Sequence, residues 1–171
     1  QEIIDFSLIP AVDSFAQQTL KLSESANTFC ATPTENQLTA LQQNWKNAYD
    51  SWFRLANYVF GPLDDDIIFP TYTFIDSLRL RGTDYLNTVR VENAADINGT
   101  HTLDNRYFSN KTFQRVGLLA LESILFETTS SDRSTAKPDI VNEFQSSSRK
   151  CEVLQGLMQA HPIGHNFLTA H

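Results

Sequence analysis

Apolar residues recur every three or four positions along several stretches of the chain, and the pattern is clearest over residues 36–62. The stripe there consists of Leu38, Leu41, Trp45, Ala48, Trp52, Leu55 and Val59. This spacing is typical of an amphipathic helix that faces a core. Thr34 and Gln37 form a capping-box pattern at its start, and Gly61-Pro62 is typical of a helix end. The stretch therefore predicts a helix that begins near Asn36.

Three further stretches show helical periodicity. Pro10 suits a first helical turn, so the stripe after it predicts a helix from near Ile9 to about Cys30. The short "ATPT" link then favours an antiparallel hairpin of the first two helices. The run "TFQRVGLLALESILFE" from Thr112 is apolar on nearly all sides and predicts a buried helix. A last stripe, opened by Pro138, predicts a helix to about Ala160.

The periodicity fades between Leu63 and Lys111, where Asp, Asn, Thr and Gly are frequent. This predicts a long irregular crossing segment, which is a candidate lid because long loops in compact domains are often functional. The run "FPTYTFIDSLRLRG" within it predicts a short helix or strand. Asp64, Asp65 and Asp66 favour a solvated loop over a cation site, since they match no calcium-loop pattern. We predict an all-α fold: a four-helix up-and-down bundle in a single domain, 1–171, with this segment between helices two and three.

Composition narrows the function classes. Hydrophobic residues at 41% and charged residues at 19% are ordinary globular values. A net charge of −7 argues against nucleic acid as a partner, because phosphate binding needs a basic surface. No run reaches the roughly 20 apolar residues of a membrane-spanning helix.

The two cysteines, Cys30 and Cys151, lie at ordinary helix positions. They can pair under oxidising conditions, but we favour two buried small side chains over a disulfide. His161 and His165 are four residues apart, yet Pro162 and Gly164 interrupt a helix there, which argues against a shared metal.

Glu122 is the most informative single residue, because it lies inside the most apolar predicted helix. An isolated buried carboxylate is costly, so it must be paired, hydrogen-bonded, protonated or bound to a ligand. One interpretation is a structural glutamate held by a basic group such as Arg115. The other is a binding or metal-ligating carboxylate.

Two motifs resemble the signatures of the imelysin-like family, also described as M75 peptidases. Trp45, Ala48 and Trp52, followed by "FGP", resemble the first signature, as does the preceding "FCATPTENQLTALQQNW". Tyr49 stands where the family usually has arginine, and Ala56 where it usually has glutamate.

The second resemblance is "GLLALE", which matches the family's GxHxxE motif except that Leu119 replaces the histidine. Histidine and glutamate three residues apart share a helix face and can hold a metal together. Leucine cannot bind a metal, so this departure argues against the inherited metallopeptidase chemistry. All three replacements, at Tyr49, Ala56 and Leu119, are apolar or aromatic.

The resemblance implies a bacterial, exported, all-helical protein of the periplasm or cell surface, associated with iron uptake. It covers most of the chain, which corresponds to the N-terminal half of such proteins, and it implies uptake partners at the membrane or a second helical half. The predicted function is non-catalytic binding of a metal ion (iron, zinc, copper or calcium) or a small ligand. The alternatives are an M75 metallopeptidase and a structural or partner-binding bundle. The candidate binding residues are Glu122, which is also the candidate metal ligand, Tyr49, Trp52 and Asp76.

Overall fold

The computed structural model describes residues 4–58, 71–77 and 85–160. All of its regular elements are helical, and these ranges contain no strand. The eight α-helices are α1 (Ile9–Ala31), α2 (Glu35–Leu55), α3 (Thr71–Ile75), α4 (Leu86–Asn98), α5 (Asn105–Ser109), α6 (Gly117–Phe126), α7 (Lys137–Ser146) and α8 (Ser148–Ala160). The predicted all-α class is confirmed, whereas the simpler four-helix arrangement is not.

The first two helices form the predicted hairpin and pack against each other along their length. One π-helical turn precedes α1, which begins at Ile9 with Pro10 in its first turn. The Thr34 hydroxyl caps α2 by accepting a hydrogen bond of 3.3 Å from the Gln37 backbone N–H. The helix α2 ends at Leu55, and the predicted stop at Gly61-Pro62 lies outside the described residues.

The prediction of an irregular segment over residues 63–111 is wrong where α4 and α5 lie, whereas α3 is a short helix within the run "FPTYTFIDSLRLRG", as one of the two predicted alternatives. The physical reason is that α4 buries polar side chains: Asn93 and Asp96 are almost wholly inaccessible to solvent. A helix whose buried face is polar shows no apolar stripe, and periodicity therefore misses it. The Asp64–Asp66 run lies outside the described residues.

A cluster of ion pairs around Lys111 takes the place of apolar packing on the buried polar face of α4. Lys111 Nζ lies 2.5 Å from Glu92 Oε1 and 2.8 Å from Asp96 Oδ2, and the Tyr107 hydroxyl donates to Asp96 Oδ1 at 2.5 Å. Burial lowers the pKa of Lys111, but hydrogen bonds to Asp96 and Glu92 outweigh it, and the pKa is raised overall. Each buried charge therefore has an opposite charge within contact distance, as burial requires.

Two other helix predictions are corrected. The helix predicted from Thr112 begins only at Gly117, after a short 3₁₀ turn and an extended residue, Val116. The last predicted helix is interrupted at Ser147, whose extended backbone separates α7 from α8. The apolar stripe continues across the break because both helices bury their apolar faces in the same core.

The expectation of two unpaired cysteines is also wrong. Cys30 at the end of α1 and Cys151 at the start of α8 form a disulfide across a sequence separation of 121 residues. Their Cα atoms are 5.7 Å apart, which is within the range that a disulfide can bridge. Spacing along the sequence could not reveal this, because the fold alone brings the two helix ends together.

Most of the core lies between α1, α2, α6 and α8, and its largest fully buried side chains include Trp52, Phe15, Phe29 and Phe108. The predicted burial of α6 is confirmed, since eight of its ten residues are buried. Among the described helices, none combines the length and hydropathy required to span a membrane.

Candidate functional site

Trp52 and Asp76 are two predicted site residues that the fold brings into contact. The Trp52 indole Nε1 donates a hydrogen bond of 3.1 Å to Asp76 Oδ2, and both side chains are buried. The helix α2 carries Trp52, and Asp76 directly follows α3. A buried carboxylate requires donors of this kind, so the pair fastens α3 to α2. The Trp52 ring also packs on Phe15, with 5.5 Å between ring centroids.

Tyr49 is paired with the other tryptophan of the first motif. Its ring is stacked on Trp45, with centroids 5.3 Å apart and planes inclined by 16°. Trp45 Nε1 donates to the backbone carbonyl of Leu118 at 3.0 Å, and the edge-on ring of Phe126 packs on the same indole. Trp45 is therefore a core side chain that joins α2 to α6, and half-buried Tyr49 covers its face.

Gly117, which opens the second motif, is required by the backbone. Its φ of +82° lies in the left-handed region that favours glycine. A Cβ at this position would lie 2.5 Å from the Phe74 carbonyl oxygen and 2.6 Å from that of Ile75. The glycine therefore allows α6 to begin directly against the backbone of α3.

Leu119 occupies the histidine position of the second motif. Its side chain is only 4% exposed and belongs to the apolar core. The leucine is thus well accommodated, and a charged or metal-bound imidazole at this point would have to replace apolar packing.

Glu122 is half-buried, and its carboxylate makes no hydrogen bond within residues 4–58, 71–77 and 85–160. Burial raises the pKa of Glu122, the nearby charge of Glu127 raises it further, and the charge of Arg90 counteracts part of the rise. The suggested partner Arg115 lies elsewhere, 3.4 Å from Glu92. Glu122 therefore differs from a structural glutamate held in a salt bridge.

The neighbouring Arg90 is engaged by Glu127. Its Nε donates to Oε1 and its terminal nitrogen donates to Oε2, both at 2.6 Å, which is a bidentate geometry. The pair joins α4 to the residue that follows α6. Together, Glu122, Glu127 and Arg90 carry a net charge of −1 when all three are ionised.

No hydrogen bond or ion pair in the described ranges joins Glu122 to Tyr49, Trp52 or Asp76. The described residues also contain no group of three or more His, Cys, Asp or Glu side chains suited to a metal ion. A histidine–glutamate metal pair does not fit the motif, because Leu119 offers no donor atom.

Sequence reasoning missed the polar residues that flank Glu122. Arg90 and Asn93 lie in the segment predicted to be irregular, and Glu127 is the last residue of the run predicted as a buried helix. The run "TTSSDRSTAK" after α6 is dense in hydroxyl groups. It contributes Thr128, Ser130 and Arg133 to a cavity beside the Arg90–Glu127 pair.

Comparison with known proteins agrees with the two motifs. The model of the imelysin family, peptidase M75, matches residues 8–160. No curated protein and no solved structure shows significant similarity to the chain. A match over that range includes all eight helices, and the chain belongs to the imelysin family.

Proposed function

We propose that this chain is an exported, non-catalytic binding protein that serves the uptake of iron or another metal. The observation that carries the proposal is the contrast within the second motif. Glu122 is retained as a half-buried acid without a hydrogen-bond partner in the described ranges, whereas Leu119 replaces the metal-binding imidazole. The motif keeps its acidic group and lacks the second ligand that catalysis would need.

The electrostatics of Glu122 favour a cationic ligand. A carboxylate in a partly desolvated place, beside a second acid, is stabilised when a positive charge approaches. Arg90 offsets only part of the unfavourable charge at Glu122, and its guanidinium is engaged in a bidentate pair with Glu127. The ligand is a metal ion or a metal chelate that brings most of its own ligands, with Glu122 contributing one carboxylate.

A metallopeptidase is the less favoured alternative. A catalytic metal is generally held by three protein ligands and activates a water at an open position. The second motif supplies one such ligand, Glu122. This alternative predicts cleavage of an unfolded protein that stops when a chelator is added.

Export is supported by the disulfide between Cys30 and Cys151. Disulfides persist in oxidising compartments such as the bacterial periplasm and are rare in the cytosol. We therefore place the protein in the periplasm or at the cell surface, where it would meet uptake partners at the membrane.

The test is calorimetric titration of metal-stripped protein with iron, zinc, copper and calcium ions and with an iron chelate. Wild type is compared with Glu122→Gln and Leu119→His, and Glu24→Gln serves as control because Glu24 is an exposed acid of α1. We expect micromolar binding by wild type and Glu24→Gln, and at least about tenfold weaker binding by Glu122→Gln.

Two results would contradict the proposal. Absence of micromolar binding to every ion and to the chelate would remove the uptake function. Binding by Leu119→His alone would mean that the scaffold retains a metal geometry which this chain does not use. The structural or partner-binding alternative would then be the better one.

A further inference from the structure

A cavity of about 310 Å³ opens between α4 and the segment that follows α6. This volume lies at the small end of the range for small-molecule sites, about 300–1,000 Å³. The polar residues that matter here are Arg90, Asn93, Ser123, Thr128, Ser130 and Arg133. None of the four predicted site residues lines the cavity, so it is a separate candidate site.

The charges on the cavity wall leave a net positive charge. Arg90 and Glu127 neutralise each other through their bidentate pair. Arg133 is exposed and has no carboxylate partner in the part of the chain that the structure describes. The neighbouring Asp132 is not part of the lining and accepts a hydrogen bond of 2.7 Å from the Ser130 hydroxyl. One guanidinium is thus available for an anion, and guanidinium groups bind carboxylates with matched geometry.

The rest of the wall suits hydroxyl groups. Thr128 and Ser130 hydroxyls lie 2.5 Å apart, and the Ser123 hydroxyl donates to the Ala120 carbonyl while it accepts from Asn93 Nδ2. Each hydroxyl oxygen retains acceptor capacity for a donor on a ligand. Asn93 also belongs to the lining, and its Oδ1 is buried without a hydrogen-bond partner in the described ranges.

Arg133 has a backbone conformation that argues for a functional side chain. Its φ of 48° makes it the one non-glycine residue with positive φ in the described ranges. The turn is held by a hydrogen bond of 3.0 Å from Arg133 N to the Ser130 carbonyl. An arginine in the left-handed region costs about 1–2 kcal/mol, which glycine would avoid. Strain of this kind is concentrated at ligand-binding and catalytic positions.

We propose that this cavity binds a small hydroxylated carboxylate of the sugar-acid type. The carboxylate contacts the Arg133 guanidinium, and the ligand hydroxyls donate to the oxygens of Thr128, Ser130 and Ser123. The proposal is independent of metal binding at Glu122, so either one can fail without the other.

The experiment is titration of the full chain with gluconate, with glucose as a neutral polyol and with inorganic phosphate as a simple oxyanion. We expect gluconate to bind at least about tenfold more tightly than either comparison ligand. Arg133→Gly and Arg133→Gln should each weaken gluconate binding at least about tenfold. Arg106→Gln, which removes the same charge from an exposed position on α5, should leave it unchanged.

Arg133→Gly also separates binding from folding. Glycine adopts positive φ without strain, so the melting temperature of Arg133→Gly should equal or exceed that of wild type. A loss of gluconate binding by this variant therefore cannot be attributed to unfolding. The proposal is overturned if wild type does not bind gluconate, or if Arg133→Gly binds it as well as wild type does. It is equally overturned if phosphate or glucose binds as tightly as gluconate.

Discussion

Individual charged residues in this protein differ in how they are compensated. Lys150 is fully buried, yet it forms an ion pair with Glu143 and packs over the Phe144 ring. The pKa of Glu143 is lowered, because hydrogen bonds from Lys150 and Thr129 outweigh the effect of its burial. Glu122 has no hydrogen bond or ion pair within the described ranges, and its pKa is raised by burial and by Glu127, although the charge of Arg90 counteracts part of the rise.

The raised pKa of Glu122 makes stability depend on pH in a definite direction. Between its ordinary value of 4.5 and the higher folded value, the folded state binds more protons than the unfolded state, so stability falls as pH rises. Glu122→Gln removes this loss. We expect its melting temperature to exceed that of wild type by about 1–3 °C at pH 7.5 and to converge with it near pH 4.

Differential scanning calorimetry across this pH range measures the effect, with Glu24→Gln as a control that should follow wild type. A lower melting temperature for Glu122→Gln at pH 7.5 would mean that the ionised carboxylate stabilises the fold. The interpretation that ionised Glu122 lowers the stability of the fold would then be wrong.

At the scale of elements, α6 owes its position to its first residue. Gly117 lets the helix begin against the carbonyls of Phe74 and Ile75, and two inter-helix contacts then secure it. Trp45 donates to the Leu118 carbonyl, and Gln42 donates to the Leu125 carbonyl at 2.8 Å. Backbone packing alone therefore explains why the second motif has glycine at this position, and the explanation does not depend on a metal.

Gly117→Ala should be strongly destabilising. The substitution adds left-handed strain of about 1–2 kcal/mol and a Cβ that collides with backbone, which cannot move as a flexible side chain would. We expect a total loss of more than about 2 kcal/mol, measured as a lower midpoint of urea unfolding.

Gly117→Asn distinguishes the two causes, since asparagine tolerates the left-handed region better but still adds a Cβ. Similar losses for both variants would assign the effect to the collision. A loss below about 0.5 kcal/mol for Gly117→Ala would contradict the close approach of α3 and α6.

At the scale of the whole molecule, the disulfide connects early and late parts of the chain. Cys30 lies at the end of α1 and Cys151 near the start of the last helix, so the bond closes a loop that contains most of the other helices. Cross-links over long loops restrict the unfolded chain strongly, and loss of a native disulfide typically costs about 2–5 kcal/mol.

Reduction should therefore lower the melting temperature of wild type by roughly 5–15 °C, since each kcal/mol corresponds to about 2–4 °C for a protein of this size. Thermal scans with and without dithiothreitol measure the change. The double variant Cys30→Ser and Cys151→Ser should melt at the lower temperature under both conditions. Two titratable thiols in the native, unreduced protein would show that the bond is absent.

The sequence by itself determined the helical class, the hairpin of α1 and α2, the Thr34 cap and the family. These features depend on local periodicity, on capping chemistry and on short motifs, which are all encoded by neighbouring residues. It also singled out Glu122, because an acid within an apolar helix is conspicuous in any arrangement.

Only the tertiary structure decided the remaining features. The helix α4 was missed because its buried face is satisfied by Lys111 and other distant partners, which no local pattern records. The disulfide, the Trp52–Asp76 hydrogen bond and the Arg133 cavity all depend on contacts between residues far apart in sequence or on a left-handed backbone angle. Local propensity specifies which segments are helical, whereas the pairing of buried polar groups is specified only when the helices pack together.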